Sequence, residues 1–320
     1  MIVKKVYCVI PVFNDWESFT VLLENLNKFQ LTLANKYLFS VFVVNDGSTE
    51  ESSYNVSEIN VTILNLKINV GHQRAIAVGL QYVYNEVNDA NFVVVLDSDG
   101  EDKPDDISLL LEKAEKESSK KIIFAQRKKR QESLVFKIGY FFYKNLFTFL
   151  TGQKINFGNF SVIPVKILGK VVNQSNIWNH FSGGIIQSKI LYDKVLIDRG
   201  KRYKGTSKMN LNSLILHGLS SIAVYFDFLS LRILRYSIYG IVICTLSVSY
   251  ILYQKLFTTN AIPGWASSLI LIITGIILQL FSVTLIVLLL QLSSRKNITS
   301  PNSKIYTEFI ESIQNERNNY

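Results

Sequence analysis

The chain has 320 residues, of which 48% are hydrophobic, and it carries a formal net charge of +9 at neutral pH. A charge of this sign favours an anionic partner, such as a lipid surface or a phosphorylated ligand. Two cysteines are too few for a disulfide framework, which argues against an oxidising compartment for the soluble part.

Up to about residue 125 the sequence alternates between strand-like and helical patterns. Short continuous apolar runs predict strands, and apolar residues at helical spacing predict helices between them. This alternation indicates the α/β class, with a mainly parallel sheet covered by helices on both faces. The predicted strands are 6–12, 39–44, 61–66, 92–96 and 121–125, and the predicted helices are 16–29, 75–87 and 104–116.

Residues 118–210 are rich in lysine, arginine and aromatic side chains. This mixture suits the headgroup region of a bilayer, although a packed helix with a solvated basic face has the same composition. The basic residues border apolar segments, and we therefore expect no nucleic-acid partner.

Two long apolar segments, 236–257 and 265–292, are each long enough to cross a membrane. The short link between them predicts a helical hairpin. Four basic residues flank its open end, so the positive-inside rule predicts a multi-pass protein of the cell membrane with both termini in the cytoplasm. No signal peptide is predicted at the N-terminus. The predicted organisation is a soluble domain over 1–210, juxtamembrane interfacial helices over 211–235, the hairpin, and a polar tail over 293–320, partly helical near 305–313.

The fourth predicted strand runs into Asp97-Ser98-Asp99, with Glu101 close behind. Alternate residues at a strand end point the same way, so Asp97 and Asp99 can converge on one site. Carboxylates hold Mg²⁺ or Mn²⁺ against phosphates, and such an ion neutralises a leaving diphosphate. Taken alone, the motif is also typical of a turn or of a helix cap before Pro104.

Asp46 follows the second predicted strand, in the sequence Asn45-Asp46-Gly47-Ser48. A carboxylate at this point can accept a hydrogen bond from a nucleobase, and Gly47 permits a sharp turn. The alternative is an ordinary turn of the Asn-Asp-Gly type. Because ligands of parallel sheets bind at the carboxyl ends of strands, we expect Asp46 and Asp97 at one site.

A third motif, with Pro11 and Phe13, ends the first predicted strand. In this order and spacing the three motifs resemble those of the family 2 glycosyltransferases, which have a Rossmann-like GT-A fold. Within that family the chain looks like the polyprenyl-phosphate glycosyltransferases, which include dolichol-phosphate mannose synthases. These relatives carry a later Arg-x-x-Gly-x-Ser-Lys motif, which the segment from Arg202 to Lys208 matches. The resemblance covers residues 4 to about 292.

The resemblance implies a nucleotide-sugar donor, a divalent metal ion and a polyprenyl phosphate acceptor. It also implies a catalytic set and a role for each matching residue. By this correspondence the catalytic residues are Asp97, Asp99, Arg202 and Lys208, of which Arg202 and Lys208 face the diphosphate. The residues that bind the nucleoside are Pro11, Phe13, Asp46, Gly71 and Asp97, and those that bind the metal ion are Asp97, Asp99 and Glu101. The residues that face the acceptor phosphate are Arg127 and Arg130.

Three positions depart from the family pattern. Asn45 replaces the first acid of an Asp-Asp pair. His72 stands where relatives have lysine, so it either contacts phosphate or only begins a helix. Asn159 stands where relatives often have aspartate, which removes a candidate general base. Because a phosphate monoester is largely a dianion at neutral pH and needs no base, the sequence favours a phosphate nucleophile. The alternative is that Asp193 or Asp198 folds back and serves as the base for a hydroxyl acceptor.

The predicted activity is an inverting transfer of a sugar from a UDP- or GDP-linked donor to a polyprenyl phosphate, for the assembly of a cell-surface glycan. Two alternatives stay open. One is transfer to a hydroxyl of a lipid-linked or polysaccharide acceptor, and the other is a non-catalytic membrane scaffold that binds nucleotide sugars. The oligomeric state also stays open, with a homo-oligomer among the options.

Overall fold

The computed structural model describes residues 3–51, 54, 58–128, 145, 148–149, 152, 157–204, 220, 222–258, 264–296 and 301–316. The described residues fall into two compact units. The first contains those up to 128, from 157 to 224 and from 301 onwards, and the second contains those from 145 to 152 and from 225 to 296.

The first unit is built on one mixed sheet. Its described strands are β1 (Lys4–Val12), β2 (Tyr37–Asn45), β3 (Asn60–Leu66), β4 (Phe92–Val95), β5 (Ile122–Arg127), β6 (Ser161–Pro164), β7 (Tyr192–Ile197) and β8 (Ile310–Glu316). They are arranged in the order β7-β5-β6-β4-β1-β2-β3-β8. Strands β1 to β4 pair parallel with their neighbours among themselves, as do β5 and β7, whereas β6 and β8 pair antiparallel.

The helices of the first unit lie between these strands. They are α1 (Trp16–Leu33), α2 (His72–Glu86), α3 (Asp106–Lys116), α4 (Val165–Val172), α5 (Phe181–Gln187) and the single turn α8 (Tyr306–Phe309). The second unit contains α6 (Phe226–Phe257) and α7 (Trp265–Lys296).

Helices cover both faces of the sheet. On one face Cys8 of β1 belongs to a buried cluster with Phe19 of α1 and Leu110 of α3. On the other face the next residue of the strand, Val9, packs in a second cluster with Ile76 of α2. Because neither face meets water, the strands read as continuous apolar runs instead of alternating ones. The expected α/β class with a mainly parallel sheet is confirmed.

The order of the strands reverses beside β1. This strand has β2 on one side and β4 on the other, and all three run in the same direction. The segments that follow them therefore leave the same edge of the sheet and diverge at that point, where ligands of open α/β sheets bind. This reversal brings Asp46 and Asp97 to one edge.

The C-terminal segment differs from its predicted organisation. In place of a polar tail over 293–320, the described part from 301 to 316 forms α8 and β8, and β8 pairs antiparallel with β3, with Ile313 opposite Leu64. The pairing supplies hydrogen-bond partners to β3, which otherwise would be an edge strand. A short polar strand has a weak sequence signal, and its partner is distant along the chain, so local patterns did not reveal it.

One buried side chain ties this segment to the first unit. Gln81 of α2 is fully buried, and its amide nitrogen donates to the carbonyl oxygens of Val172, at 3.1 Å, and Asn302, at 3.0 Å. Its amide oxygen accepts a hydrogen bond of 3.1 Å from the backbone nitrogen of Tyr306. A single amide thus joins α2, the end of α4 and the C-terminal segment.

The two long helices of the second unit pack against each other. Gln291 of α7 donates a hydrogen bond of 2.6 Å to Asp227 of α6, and a β-carbon at Gly240 would lie 2.9 Å from Leu280 Cδ1. Phe226–Phe257 and Trp265–Ser293 are long and apolar enough to cross a membrane. The first helix begins at Phe226. Residues 226–235, which the sequence assigns to a separate interfacial region, therefore form the first part of α6.

An ionic cluster joins α3 to the amino ends of β1 and β2. Glu115 lies 2.7 Å from Lys4 Nζ and 2.7 Å from the Tyr37 hydroxyl, and Lys36 Nζ lies 3.6 Å away. Partial burial raises the pKa of Glu115, but the hydrogen bonds from Lys4 and Tyr37 and the lysine charges outweigh it, so the pKa is below its ordinary 4.5. The cluster therefore stabilises the fold only while Glu115 is ionised.

We predict that Gln81→Met lowers the free energy of unfolding of the protein in detergent by about 2 to 4 kcal/mol. The thioether has a similar volume but removes the hydrogen bonds to the buried carbonyl of Val172, to the buried N–H of Tyr306 and to the partly buried carbonyl of Asn302. Gln314→Met, at an exposed position of β8, is the matched control and should change stability by less than about 0.5 kcal/mol. Equal stability of the two variants in chemical denaturation would contradict the role of Gln81.

We predict that Glu115→Gln destabilises the protein by about 1 kcal/mol at neutral pH and that this difference vanishes in acid. Because the folded-state pKa is lowered, the contribution of Glu115 is present above the unfolded-state pKa and is lost as the pH falls through the folded-state pKa, below 4.5. Unfolding curves between about pH 7 and pH 3 measure it. A difference that persists at the acid end would contradict the ionic account, and Glu112→Gln on the same helix is the control.

Candidate functional site at the carboxyl ends of the strands

Asp46 lies at the centre of one half of the site. Its side chain is buried, with 3% exposed, and its two carboxylate oxygens accept hydrogen bonds from the backbone nitrogens of Val70, at 2.7 Å, and Gly71, at 3.0 Å. Burial raises the pKa of Asp46, and these two hydrogen bonds oppose the rise. A carboxylate has about four acceptor positions, so Asp46 is fixed in orientation and can still accept a hydrogen bond from a ligand.

Gly47 allows the loop after β2 to pass close to the loop before α2. Its φ is +66°, and a β-carbon there would lie 2.6 Å from the backbone nitrogen of Asn69. The neighbouring atoms are backbone and cannot move aside. Asn69 in turn donates a hydrogen bond of 3.0 Å to the carbonyl oxygen of Asp46. The turn expected from the Asn-Asp-Gly sequence therefore also holds Asp46 in place.

Phe13 and Pro11 are placed differently from each other. Pro11 is buried within β1, where it lies opposite Val44, whereas the Phe13 ring is 43% exposed just beyond the strand end. The next residue, Asn14, binds the loop after β2, since its side-chain oxygen accepts a hydrogen bond of 2.8 Å from the backbone nitrogen of Thr49. The loops after β1 and β2 are thus tied together beside an exposed aromatic ring.

Asp99 lies in the loop after β4 and is paired with Arg202. Arg202 donates from one guanidinium nitrogen to Asp99, at 3.1 Å, and from another to Asp15, at 2.8 Å. The second oxygen of Asp99 accepts a hydrogen bond of 2.9 Å from the backbone nitrogen of Glu101. Burial raises the pKa of Asp99, as do the charges of Asp97 and Glu101, and Arg202 opposes the rise. Arg202 therefore bridges the acids that follow β1 and β4.

The loop after β7 reaches Asp99 because it lies along the loop after β4. The backbone nitrogen of Tyr203 donates to the carbonyl oxygen of Asp99, and that of Gly200 donates to the carbonyl oxygen of Glu101, both at 2.9 Å. The Tyr203 ring occupies the space that a side chain at Gly100 would fill, since a β-carbon there would come within 2.5 Å of it. Backbone pairing thus delivers Arg202 to the site.

The carboxylate of Glu101 points towards two arginines and not towards the carboxylates of Asp97 and Asp99. One of its oxygens lies 3.0 Å from Arg127, and the other pairs with Arg199. Among the residues that the structure describes, no three His, Cys, Asp or Glu side chains lie close enough together to hold a metal ion between them. The expected convergence of three carboxylates is therefore absent from this arrangement, although all three lie in the same loop.

Asp102 is the most deeply buried acid of this loop. Its side chain is 2% exposed, and it lies 3.0 Å from Arg127. Burial and the charge of Asp97 raise the pKa of Asp102 to about 7, although Arg127 opposes the rise. Arg127 thus holds two acids of the loop, Glu101 and Asp102.

His72, left open by the sequence, contacts two residues of the site. Its Nε2 lies 3.2 Å from a carboxylate oxygen of Asp97 and 3.0 Å from the side-chain amide of Asn159. Desolvation of the ring opposes protonation, but the charge of Asp97, with smaller contributions from Asp46 and Asp102, raises the pKa of His72. The start of α2 and the loop before β6 therefore meet at Asp97.

Sequence reasoning missed Asp15 and Arg199 as members of the site. Arg199 lies three residues before Arg202 and could have been noticed from that spacing, whereas nothing local to Asp15 marks it. Two residues named from the sequence, Arg130 and Lys208, lie outside the described residues.

Comparisons with known proteins place the chain in a family. Residues 7–171, just over half of the chain, match the model of glycosyl transferase family 2. The uncharacterized glycosyltransferase YkcC of Bacillus subtilis is 27% identical over 299 residues, which are 86% of this chain and 85% of YkcC. The undecaprenyl-phosphate 4-deoxy-4-formamido-L-arabinose transferase of Klebsiella pneumoniae is 30% identical over 138 residues, which are 41% of this chain and 39% of that enzyme.

A solved structure has a similar arrangement of elements. The mannosyl-3-phosphoglycerate synthase from Rubrobacter xylanophilus matches 69% of this chain and 72% of its own, with 12% identity and a TM-score of 0.49. A likeness at this level adds nothing to the family match. From the family match and the mixed sheet with acids at the ends of β2 and β4, we conclude that the chain is a glycosyltransferase that belongs to glycosyltransferase family 2.

Proposed function

We propose that this glycosyltransferase moves a sugar from a nucleotide sugar to a polyprenyl phosphate in one inverting displacement. The observation that carries the proposal is the absence of an available carboxylate base on the acceptor side of the described site. Asn159 stands beside His72 and Asp97 at the position where relatives often have aspartate. An amide cannot take a proton from a sugar hydroxyl, whereas a phosphate dianion needs no such help.

The two acids that the sequence left as alternative bases are engaged elsewhere. Asp193 of β7 lies 3.0 Å from Lys113 of α3, and Asp198 lies 3.4 Å from Lys128. The hydrogen bond from Lys113 lowers the pKa of Asp193, which makes it a weaker base. This placement supports a phosphate acceptor over a hydroxyl acceptor.

The nucleoside of the donor would bind at the Asp46 half of the site. Asp46 has free acceptor capacity for a base, the backbone near Gly71 is fixed against it, and Phe13 offers an exposed ring for stacking. Both UDP and GDP carry groups that can donate a hydrogen bond to a carboxylate. The fit supports a nucleotide donor and leaves the base to experiment.

A divalent cation suits the chemistry of the loop after β4. Asp97 and Asp99 supply the hard oxygen ligands that Mg²⁺ and Mn²⁺ prefer, and one or two carboxylates suffice when the phosphates of the substrate complete the coordination. When bound, the ion would neutralise the charge of the departing diphosphate. Arg202, which now holds Asp99, would share that role and orient the same phosphates.

The lipid acceptor fits the second unit. Helices α6 and α7 have the length and composition of a membrane hairpin, and the related Klebsiella enzyme is an undecaprenyl-phosphate transferase by name. Because β8 pairs with β3, residues after 300 belong to the same folded unit as residues before 225. A chain that enters the membrane between them must return to the same side, which supports a hairpin with a cytoplasmic catalytic unit when combined with the positive-inside rule.

The proposed activity predicts a specific product. Membranes that contain the protein, incubated with undecaprenyl phosphate and a panel of UDP- and GDP-sugars, should yield one sugar linked to the lipid phosphate, labile in mild acid and identified by its mass. Sugar recovered in an acid-stable glycan would instead indicate a hydroxyl acceptor. The absence of both transfer and donor hydrolysis across the panel would indicate the non-catalytic scaffold.

We predict that Asp99→Asn lowers the rate of transfer by about 100-fold or more, because the amide cannot supply the charge that holds the ion and its substrate phosphates. Asp198→Asn changes an acid at an exposed position outside the site and should keep the rate within about twofold. Initial rates at several Mn²⁺ and Mg²⁺ concentrations measure both variants. Full metal-dependent transfer by Asp99→Asn would refute the assignment of Asp99.

A further inference from the structure

Both carboxylate oxygens of Glu101 are occupied by guanidinium groups. Arg127 of β5 donates to one oxygen at 3.0 Å, and Arg199 of the loop after β7 donates to the other. Arg127 uses a further nitrogen to bind Asp102, also at 3.0 Å. The side chains of Glu101 and Arg127 are 21% and 26% exposed, so their contact is partly shielded from water, whereas Arg199 is 39% exposed. Charge-assisted contacts of this kind are strong.

This environment does not suit a cation. A divalent ion on Glu101 would approach two guanidinium groups, and its binding would leave Arg127 with Asp102 as its one remaining partner among the described residues. Asp99 differs from Glu101, because Arg202 is its one arginine partner among the described residues, and Arg202 could turn towards the phosphates of a donor. Replacement of the arginine partner by a metal ion is therefore possible at Asp99 and unfavourable at Glu101.

The charge of Glu101 also fits this role better than a neutral residue would. A glutamine at this position, which the family often has, offers one acceptor oxygen and no charge, so it could coordinate an ion but could not neutralise two arginines. A glutamate accepts from both and holds their planes in fixed directions. In its contacts with the described residues Arg127 uses one N–H towards Glu101 and one towards Asp102, and a guanidinium held in this way suits the binding of a phosphate through its other donors.

We propose that Glu101 is a clamp for Arg127 and Arg199 and not a metal ligand, and that it positions Arg127 for the acceptor phosphate. The proposal rests on the metal-dependent transfer to a lipid phosphate argued above. It assigns the ion to Asp97 and Asp99 together with the donor phosphates. Glu101 acts through another residue, and its loss should therefore affect the acceptor more than the donor.

Two substitutions separate a clamp from a ligand. Glu101→Gln could still coordinate an ion but could not hold both arginines, and Glu101→Ala could do neither. For a clamp, both variants should bind Mn²⁺ in the presence of UDP or GDP within about threefold of the wild type, as measured by electron paramagnetic resonance. Both should melt about 5 °C lower and have a KM for undecaprenyl phosphate about tenfold higher, with a smaller change in kcat. Glu24→Gln, an exposed acid of α1, is the control.

A ligand gives the opposite pattern. If Glu101→Ala loses Mn²⁺ affinity by tenfold or more while Glu101→Gln keeps it, and neither melts lower than the control, the clamp is refuted. If the wild type itself binds no Mn²⁺ with either nucleotide, the proposed metal-dependent transfer fails, and the melting temperatures still decide on the clamp. In that case the effects of Glu101→Gln and Arg127→Gln on the melting temperature should be strongly non-additive when the two substitutions are combined. Additive effects would refute the role of Glu101 as a clamp.

Discussion

The pairing of acids with arginines at the carboxyl ends of the strands is the interaction on which this site depends. The topology of the sheet collects carboxylates from the loops after β1, β2 and β4 at one edge, where their mutual repulsion would favour separation. Arg202 offsets it by binding Asp15 and Asp99 together, and Arg127 and Arg199 do the same for the acids that follow Asp99. All three arginines come from β5 or the loop after β7, so the half of the sheet that lacks the acids supplies the charges that hold them.

The two halves of the site are organised by different forces. The Asp46 half is held by backbone hydrogen bonds and by the close approach that Gly47 permits, both of which are short-range and independent of salt. The Asp99 half is held by ion pairs that a charged substrate can compete for. For the proposed transfer, a rigid pocket would suit the nucleoside, which is the same in substrate and product, and an exchangeable network would suit the diphosphate, whose charge changes.

The C-terminal strand belongs to the first unit, although it follows the two long helices along the chain. After α7 the chain pairs β8 with β3, and Gln81 binds the C-terminal segment to α2. The same helix α2 begins at His72, beside Asp97. The C-terminal segment is therefore bonded to the helix whose first residue contacts Asp97.

The sequence by itself determined the α/β class, the two long apolar helices and the placement of Asp46 and Asp97 at one edge, because continuous apolar runs, helical spacing and acids just past strand ends are local patterns with a direct physical meaning. Only the tertiary structure decided that β8 completes the sheet, that His72 meets Asp97, and that Glu101 faces two arginines in place of its neighbouring acids. These contacts join residues far apart along the chain. A side chain with several candidate partners of opposite charge takes the one that the fold brings nearest, and no local pattern contains that distance.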